Sequence, residues 1–271
     1  MAGDMVARYC VCLQTDCNLI MWKGNKVSWI RTLALLLLTA GLSSVVFGKT
    51  VTEKRLVGSF NSIYNTSFLD VRFVQSSTCK VLVTMENSSQ EQVVTVVEKG
   101  VLRIYVKGYV TLRPSERYRV VVYAPFLVEA CNEGPGVMDL GNVTGSTFFA
   151  DNVGDGRLNF SFTPYEDSWL SSKVRMRNRG AGTLSADCDV HDVEIESEGG
   201  GLLEVTGTAV NLWVTNTGEG DVNTTDLVAD YANVKLDGLG GIYVNVSVKT
   251  WVSADGGGLV EIFGDSEVVE Y

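Results

Sequence analysis

Histidine-dependent chemistry in this 271-residue chain would have to use a single residue, His191. Three aspartates stand close to it in sequence, Asp187, Asp189 and Asp192. A Ser-His-Asp or Cys-His site would need His191 as its base, with Asp189 or Asp192 as the orienting carboxylate. Clustered charges of this kind are also typical of a solvated corner. The interpretation we adopt is a solvated loop without a catalytic role.

Metal binding is also weakly encoded. Zinc takes three or four Cys or His ligands, and these residue types are not clustered here. Four aspartates beside glycine-rich turns are better suited to calcium: Asp155, Asp221, Asp237 and Asp255. They stand at different offsets from their glycines, and the calcium-binding Gly-Gly-x-Gly-x-Asp repeat is absent. The sequence therefore predicts no metal site, no cofactor and no catalytic residue.

The elements that must position any site are marked by a Gly-x-Gly motif. Its first glycines are 20, 26, 19, 19, 20 and 18 residues apart. A near-constant period of this size is typical of a solenoid. The seven copies are Gly134-Pro135-Gly136, Gly154-Asp155-Gly156, Gly180-Ala181-Gly182, Gly199-Gly200-Gly201, Gly218-Glu219-Gly220, Gly238-Leu239-Gly240 and Gly256-Gly257-Gly258.

Apolar residues recur at fixed offsets from these glycines. Offsets of −6, −4, +4 and +6 are apolar in almost every copy, and residues two apart on a strand share one face. The −6 column is Val128, Phe148, Val174, Val193, Leu212, Ala232 and Thr250. The +4 column is Met138, Leu158, Leu184, Leu203, Val222, Ile242 and Val260.

These columns predict an all-β protein with a parallel β-solenoid, or β-helix, of about seven rungs over residues 125–271. Leu203 and Val222 are expected to be buried in adjacent rungs. The glycines are expected at corners, where a positive φ or a close approach between rungs excludes a side chain. An antiparallel up-and-down sheet is the alternative, but it does not require one constant offset.

Residues 49–124 lack the glycine repeat and are predicted to form an N-terminal β cap. Short apolar or alternating segments are separated by turn-rich pieces. A cap would cover the core and the strand edge of the first rung. The predicted strands are 68–74, 80–85, 93–97, 101–106 and 119–123.

Residues 1–48 are predicted to be a signal peptide, cleaved near Gly48, or a retained signal anchor. The apolar stretch 33–48 follows Lys23, Lys26 and Arg31, which is the order of a secretory signal. Either outcome exports the remainder, which carries a net charge of −12. An acidic surface repels phosphate backbones, so nucleic acid is excluded as a partner.

If the remainder is exported, its three cysteines can form disulfides and its six glycosylation motifs can be modified. Cys79, Cys131 and Cys188 follow the leader, so one internal disulfide at most can form. The Asn-x-Ser/Thr motifs are either accessible glycan acceptors or ordinary polar strand and turn residues. They begin at Asn65, Asn87, Asn142, Asn159, Asn223 and Asn245.

The longest repeat contains the insertion Thr163-Pro164-Tyr165-Glu166-Asp167-Ser168-Trp169. Insertions in solenoids form loops on one side, often the binding side. Tyr165 and Trp169 are therefore expected either to stack on a sugar ring or partner surface, or to cover the neighbouring rung.

Several segments, in order, resemble one known family. The repeats approach its Ser-Gly-Ser-Gly-Asp-Ile turn most closely at Gly218-Glu219-Gly220-Asp221-Val222, and Phe263-Gly264-Asp265 closes the pattern. Over about residues 55–271 the chain resembles the putative auto-transporter adhesin head GIN domain family. The resemblance implies secretion or the cell surface and an adhesin role, and it supplies no catalytic residues. The cap segments that carry it are Phe60-Asn61-Ser62-Ile63, 71–75, 100–104 and 122–127.

Two functions follow from these observations. The first, which we favour, is a non-enzymatic exported or cell-surface β-solenoid with an adhesin-like or scaffolding role. Its expected partners are surface glycans or other surface proteins, with membrane contact only through an uncleaved N-terminal segment. The alternative is a carbohydrate-active β-helix, a polysaccharide lyase or glycoside hydrolase, that works through paired carboxylates.

Overall fold

The computed structural model of the protein describes residues 50–110 and 118–271. The predicted signal peptide or anchor at residues 1–48 lies outside this range. The described residues form β-strands and two short 3-10 helices, Asn87–Gln92 and Glu166–Ser171, so the all-β prediction is confirmed. Within the same range, no helix has the length and apolar character to cross a membrane.

The strands are numbered in chain order. They are β1 (Thr50–Leu56), β2 (Ser62–Asn65), β3 (Asp70–Gln75), β4 (Lys80–Glu86), β5 (Val93–Glu98), β6 (Val101–Val106), β7 (Arg119–Ala124), β8 (Glu129–Asn132), β9 (Val137–Gly145), β10 (Thr147–Asn152), β11 (Arg157–Pro164), β12 (Lys173–Asn178), β13 (Thr183–Ser197), β14 (Leu202–Asn216), β15 (Val222–Leu236), β16 (Ile242–Ala254), β17 (Val260–Phe263) and β18 (Glu267–Glu270).

The N-terminal strands combine both pairing directions. Strand β4 pairs antiparallel with β1 and β7, and β5 pairs antiparallel with β6. Strands β2 and β3 pair parallel with β8 and β9, which begin the glycine repeats. The five segments predicted from sequence correspond to β3–β7. Strand β1 was not predicted because Glu53, Lys54 and Arg55 break its apolar pattern; its backbone pairs with β4 along the whole strand.

The later strands pair in parallel, each with its counterpart in the next repeat. Leu184 is in register with Leu203, Leu203 with Val222, and Val222 with Ile242. All four side chains are fully buried, which confirms the predicted burial and adjacency of Leu203 and Val222. Parallel pairing of β13–β16 contradicts the antiparallel alternative. The like-on-like apolar contacts form one continuous core.

At both ends of the repeats, some residues predicted to face inward are not fully buried. Val128 is 38% exposed, because it precedes β8 and donates its N–H to the Asn61 carbonyl at 2.8 Å in the junction with the N-terminal strands. Val260 and Ile262 are only half-buried in β17, which pairs with β16 in the last repeat. The polar Thr224 is buried within the column and donates to the Tyr243 carbonyl at 3.1 Å.

Close backbone approach, rather than positive φ, explains the motif glycines. A Cβ on Gly201 would lie 2.0 Å from the Gly182 carbonyl oxygen, and one on Gly220 would lie 1.9 Å from that of Gly201. Their φ angles are outside the left-handed region, so the positive-φ explanation was wrong for these positions. The middle residue Gly200 has nothing within 4 Å of its Cβ position. The constraint therefore falls on the first and third residues of the motif.

A ladder of buried asparagines fills the inside of the glycine turns, two residues before the first glycine. The Asn132 Nδ2 donates to the Gly134 and Gly136 carbonyls at 3.3 Å each, and to Asn152 Oδ1 at 3.2 Å. These side chains satisfy turn carbonyls that water cannot reach. The ladder consists of Asn132, Asn152, Asn178 and Asn216 at this offset, and it is continued by Asn65 of β2, which is in register with Asn132 and precedes Ser67 rather than a glycine.

Ser197 occupies one ladder position between Asn178 and Asn216. Its Oγ is buried and has no hydrogen-bond partner. The shorter side chain leaves the ladder interrupted at this repeat.

Candidate functional site

His191 lies within strand β13 and is half-buried, so the predicted solvated loop was wrong. Its Nδ1 is 2.7 Å from Asp192 Oδ1, and its ring meets that of Trp169 edge to face, with centroids 5.7 Å apart. The His191 N–H donates to Ser172 Oγ at 2.9 Å, which ties the strand to the insertion. Asp189 instead accepts a hydrogen bond from Thr208. The neighbouring carboxylate is therefore Asp192.

The four aspartates considered for calcium do not form one cluster. Asp221 accepts the Gly241 N–H at 2.7 Å, and Asp155 is exposed. Asp237 and Asp255 lie in adjacent repeats, but Asp237 pairs with Lys235 at 2.6 Å and Asp255 accepts a hydrogen bond from Ser253 at 3.5 Å. In the described part of the chain, no group of three His, Cys, Asp or Glu residues is arranged to hold a metal ion.

The three described cysteines are free thiols. Burial raises the pKa of Cys131 and of Cys188 to about 12. Both thiols are therefore protonated at neutral pH and poor nucleophiles, since the thiolate is the reactive form.

The glycosylation motifs differ in access. Asn142 is exposed, and Asn159, Asn223 and Asn245 are partly exposed on outward positions. Asn65 is fully buried and donates to Asn132 Oδ1 at 2.9 Å. Of the two alternatives for the motifs, the accessible acceptor is contradicted for Asn65, because this side chain belongs to the asparagine ladder.

A groove of about 430 Å³ crosses the outward side of the first halves of the long strands. We call it the acid-lined groove; its acids are Asp139, Asp187, Glu204 and Asp226. Glu204 is in register with Ser185, two residues before Asp187. Strand geometry then places the Asp187 and Glu204 backbones about 8 Å apart. The groove's aromatic residue, Phe160, is only 5% exposed, so it offers little surface for stacking.

A second site lies on the outward side of the strand halves that follow. All three tryptophans in the described range are found there. We call this surface the aromatic face; its ring-bearing members are Trp169, His191, Trp213, Tyr231 and Trp251. The repeat-lengthening insertion predicted a role for Trp169, whereas Trp213 and Trp251 were not predicted from the sequence. Both stand five residues before a motif glycine, between the inward offsets −6 and −4. This shared offset could have indicated that both tryptophans face outward.

The centre of the aromatic face is built on β14, β15 and β16. Trp213 is in register with Asn233, and Asn233 with Trp251. Tyr231 stacks on Trp251, with centroids 6.5 Å apart and planes at 28°. A crevice of about 100 Å³ separates the two tryptophans and is lined also by Asn211. Trp213 and Tyr231 remain 40% and 39% exposed, so apolar ring surface is presented to solvent.

The insertion extends this face. Trp169 is 42% exposed and packs on His191, so it both covers the neighbouring strand and presents ring surface. Asp192 accepts a further hydrogen bond from Asn211 Nδ2 at 2.9 Å. The insertion is thus linked to the Trp213 crevice through Trp169, His191, Asp192 and Asn211. Tyr165 is also exposed, at 47%.

Cations on the aromatic face are paired with acids. Lys173 lies 2.6 Å from Glu194, and Lys249 lies 3.3 Å from Glu267. The same two ammonium groups are 5.9 Å and 5.5 Å from the rings of Trp213 and Trp251.

The neighbouring part of strand β12 is paired in the same way. Arg177 and Arg179 both reach the buried Asp151 carboxylate, at 2.8 and 2.7 Å, and this hydrogen bond raises the pKa of Arg177. Arg175 contacts Glu196 at 2.8 Å. These local pairs largely cancel the charge on this surface.

Comparison with solved structures supports the fold. A putative lipid binding protein from Parabacteroides distasonis ATCC 8503 is 19% identical with a TM-score of 0.63 over 83% of this chain and 93% of that one. A putative adhesin from Parabacteroides merdae ATCC 43184 is 16% identical with a TM-score of 0.67 over the same shares. Another from P. distasonis is 18% identical with a TM-score of 0.60, over 83% and 98%.

Comparison with curated proteins finds no match. A family described as putative auto-transporter adhesin, head GIN domain, matches residues 59–266. This range holds the cap segments and the seven glycine motifs on which the resemblance rests. The chain belongs to the putative auto-transporter adhesin, head GIN domain, family.

Proposed function

We propose that this protein is a non-enzymatic, exported or cell-surface adhesin-like module. In this proposal, residues 125–271 form a parallel β-solenoid of about seven rungs, residues 49–124 cap it, and the aromatic face is its recognition surface. Parallel register between successive repeats supports the solenoid. Family membership supports the surface role.

The observation that carries the proposal is the concentration of aromatic rings on one rigid surface, where Trp213 and Tyr231 are exposed and Trp251 is partly exposed. Trp213, Tyr231 and Trp251 stand on neighbouring strands whose backbones are fixed by parallel pairing. Tryptophan and tyrosine are enriched where proteins bind partners, because they bury large area at small entropic cost. An exposed apolar cluster on an otherwise charged surface marks an interaction site.

The proposed binding function is tested with residues 48–271, which form one compact unit. We expect this fragment to bind a mucin-coated sensor surface, and Trp213→Ala to weaken binding at least tenfold. Phe126→Ala is the matched control, since Phe126 is 45% exposed, against 40% for Trp213, and lies between β7 and β8, outside the aromatic face. Binding that Trp213→Ala and Trp251→Ala both leave intact would remove the aromatic face from the proposal.

Export is tested separately on intact cells. Protease added outside should degrade the protein, and N-terminal sequencing separates cleavage near Gly48 from a retained anchor. A pool that stays protected, with its leader intact, contradicts the exported role.

The acid-lined groove supports the alternative, a carbohydrate-active enzyme. The backbones of Asp187 and Glu204 are about 8 Å apart, so their carboxyl groups can reach the roughly 6.5–9.5 Å that separate the carboxyl pair of an inverting glycosidase. Thr206 donates a hydrogen bond to Asp187 at 2.9 Å, which orients this carboxylate in the groove. Cleavage of a polysaccharide panel that disappears in Asp187→Asn and Glu204→Gln, with the fold intact, would establish this alternative. We expect no turnover.

A further inference from the structure

We propose that the aromatic face binds an uncharged, linear oligosaccharide that crosses strands β14, β15 and β16. One sugar ring stacks on Trp213 and another on Trp251. This inference rests on the proposed binding function and names the chemical class of its partner.

The spacing of the two tryptophans requires an extended ligand. Trp213 and Trp251 occupy equivalent positions on strands separated by one intervening strand. Two strand spacings place their backbones about 10 Å apart. A single pyranose ring is too short to reach both, whereas a linear oligosaccharide presents successive rings along this line. The direction of the ligand is then set by the stacking of the repeats.

Polar groups between the rings suit a hydroxyl-rich ligand. Asn233 stands midway, in register with both tryptophans, and Asn211 lines the same crevice. Asn211 Nδ2 already donates to Asp192, and Asn233 Oδ1 already accepts from Tyr271. The Asn211 carbonyl oxygen and the Asn233 NH2 are the groups that can pair with a sugar hydroxyl. A lipid chain offers neither group a partner, so it gains no hydrogen bond here.

The stacking surface is fixed before any ligand arrives. The Tyr231 ring packs against Trp251 at 28°. Tyr271 Oη donates to Asn233 Oδ1 at 3.2 Å, which orients the amide in the crevice. Because few rotamers have to be frozen on binding, less of the contact free energy is lost to ordering.

Charge pairing favours an uncharged ligand. Lys173 and Lys249 are the cations nearest the two indoles, and each already contacts a glutamate. A sulfated or uronic polymer would have to break these pairs or approach Glu194 and Glu267 against repulsion. A neutral sugar leaves both pairs intact and can still accept hydrogen bonds from the lysines.

The test uses native affinity gels cast with named polymers and the 48–271 fragment. The neutral panel is laminarin, xyloglucan, galactomannan and yeast mannan; the charged polymers are polygalacturonate and dextran sulfate. Vesicles of phosphatidylethanolamine and phosphatidylglycerol test a lipid partner. We expect retardation by at least one neutral polymer, with affinity rising from the monosaccharide to the tetrasaccharide of that polymer.

Variants then locate the binding. Trp213→Ala and Trp251→Ala should each weaken it at least tenfold, Trp213→Phe should retain most of it, and Phe126→Ala, outside the aromatic face, should leave it unchanged. Circular dichroism confirms that each variant is folded. Retention by both alanine variants, preference for a charged polymer or for vesicles, or no retardation by any neutral polymer overturns the inference.

The mucin experiment distinguishes failure of the sugar-binding inference from failure of the proposed binding function. Trp213-dependent mucin binding that survives enzymatic removal of the glycans would sustain a recognition surface for proteins and refute the sugar ligand. Loss of mucin binding on complete deglycosylation supports both, whereas loss on removal of sialic acid and sulfate alone refutes the uncharged ligand.

Discussion

Replacing Gly201 by alanine should destabilise the protein strongly, whereas the same change at its neighbour Gly200 should not. A Cβ at residue 201 would lie 2.0 Å from the Gly182 carbonyl oxygen, although Cβ contacts below 3.0 Å essentially never occur. That oxygen accepts the Leu202 N–H at 3.2 Å and Asn178 Nδ2 at 3.1 Å. The backbone of one repeat must therefore move away from the next.

The magnitude follows from what such a shift disrupts. Overpacking of a close contact costs about 1–3 kcal/mol, and each weakened hydrogen bond costs about 1 kcal/mol. With two hydrogen bonds affected, Gly201→Ala should lower the free energy of unfolding by about 3–5 kcal/mol. Gly200→Ala meets nothing within 4 Å. It should be neutral or stabilise by about 0.4–1 kcal/mol, because it restricts the unfolded chain.

Urea denaturation followed by far-ultraviolet circular dichroism measures the difference. The two variants have the same composition and differ only in which glycine of Gly199-Gly200-Gly201 gains a methyl group. Equal denaturation midpoints for Gly200→Ala and Gly201→Ala would refute the close-approach explanation. No residue larger than alanine at position 201 is expected to restore the wild-type denaturation midpoint.

Three further predictions concern stability. Leu203→Asp should unfold the domain, since a buried unpaired charge costs several kcal/mol, whereas Glu204→Leu should melt near wild type; the reverse order would invert the assigned faces. Ser197→Asn should complete the asparagine ladder and raise the free energy of unfolding by about 1 kcal/mol. This increase should exceed that of Ser197→Ala, and equal free energies of unfolding for the two variants would refute the ladder's role. Burial raises the pKa of Cys188 from 9.0 to about 12. Its stabilising contribution is therefore present below pH 9 and lost between pH 9 and 12, so Cys188→Ala should flatten that loss in denaturation at alkaline pH; an unchanged pH profile would contradict it.

The candidate site was only partly accessible to sequence reasoning. Trp169 stood out because its insertion lengthens one repeat, but Trp213 and Trp251 lie inside ordinary repeats. Their significance comes from register: they face outward at one offset from the glycines, with Asn233 between them. His191 was assigned to a loop because its neighbours are charged, yet the sheet continues through it.

The sequence by itself determined the β class, the inward faces and the repeat, because strand periodicity and a constant glycine offset are local properties of the chain. It predicted the burial of Leu203 and Val222 from that pattern alone. Only the tertiary structure decided what the offsets mean between repeats. The motif glycines are required by a carbonyl in the preceding repeat, and Asn65 is buried because it joins a ladder with Asn132. Both constraints act between residues distant in sequence, so no local pattern encodes them.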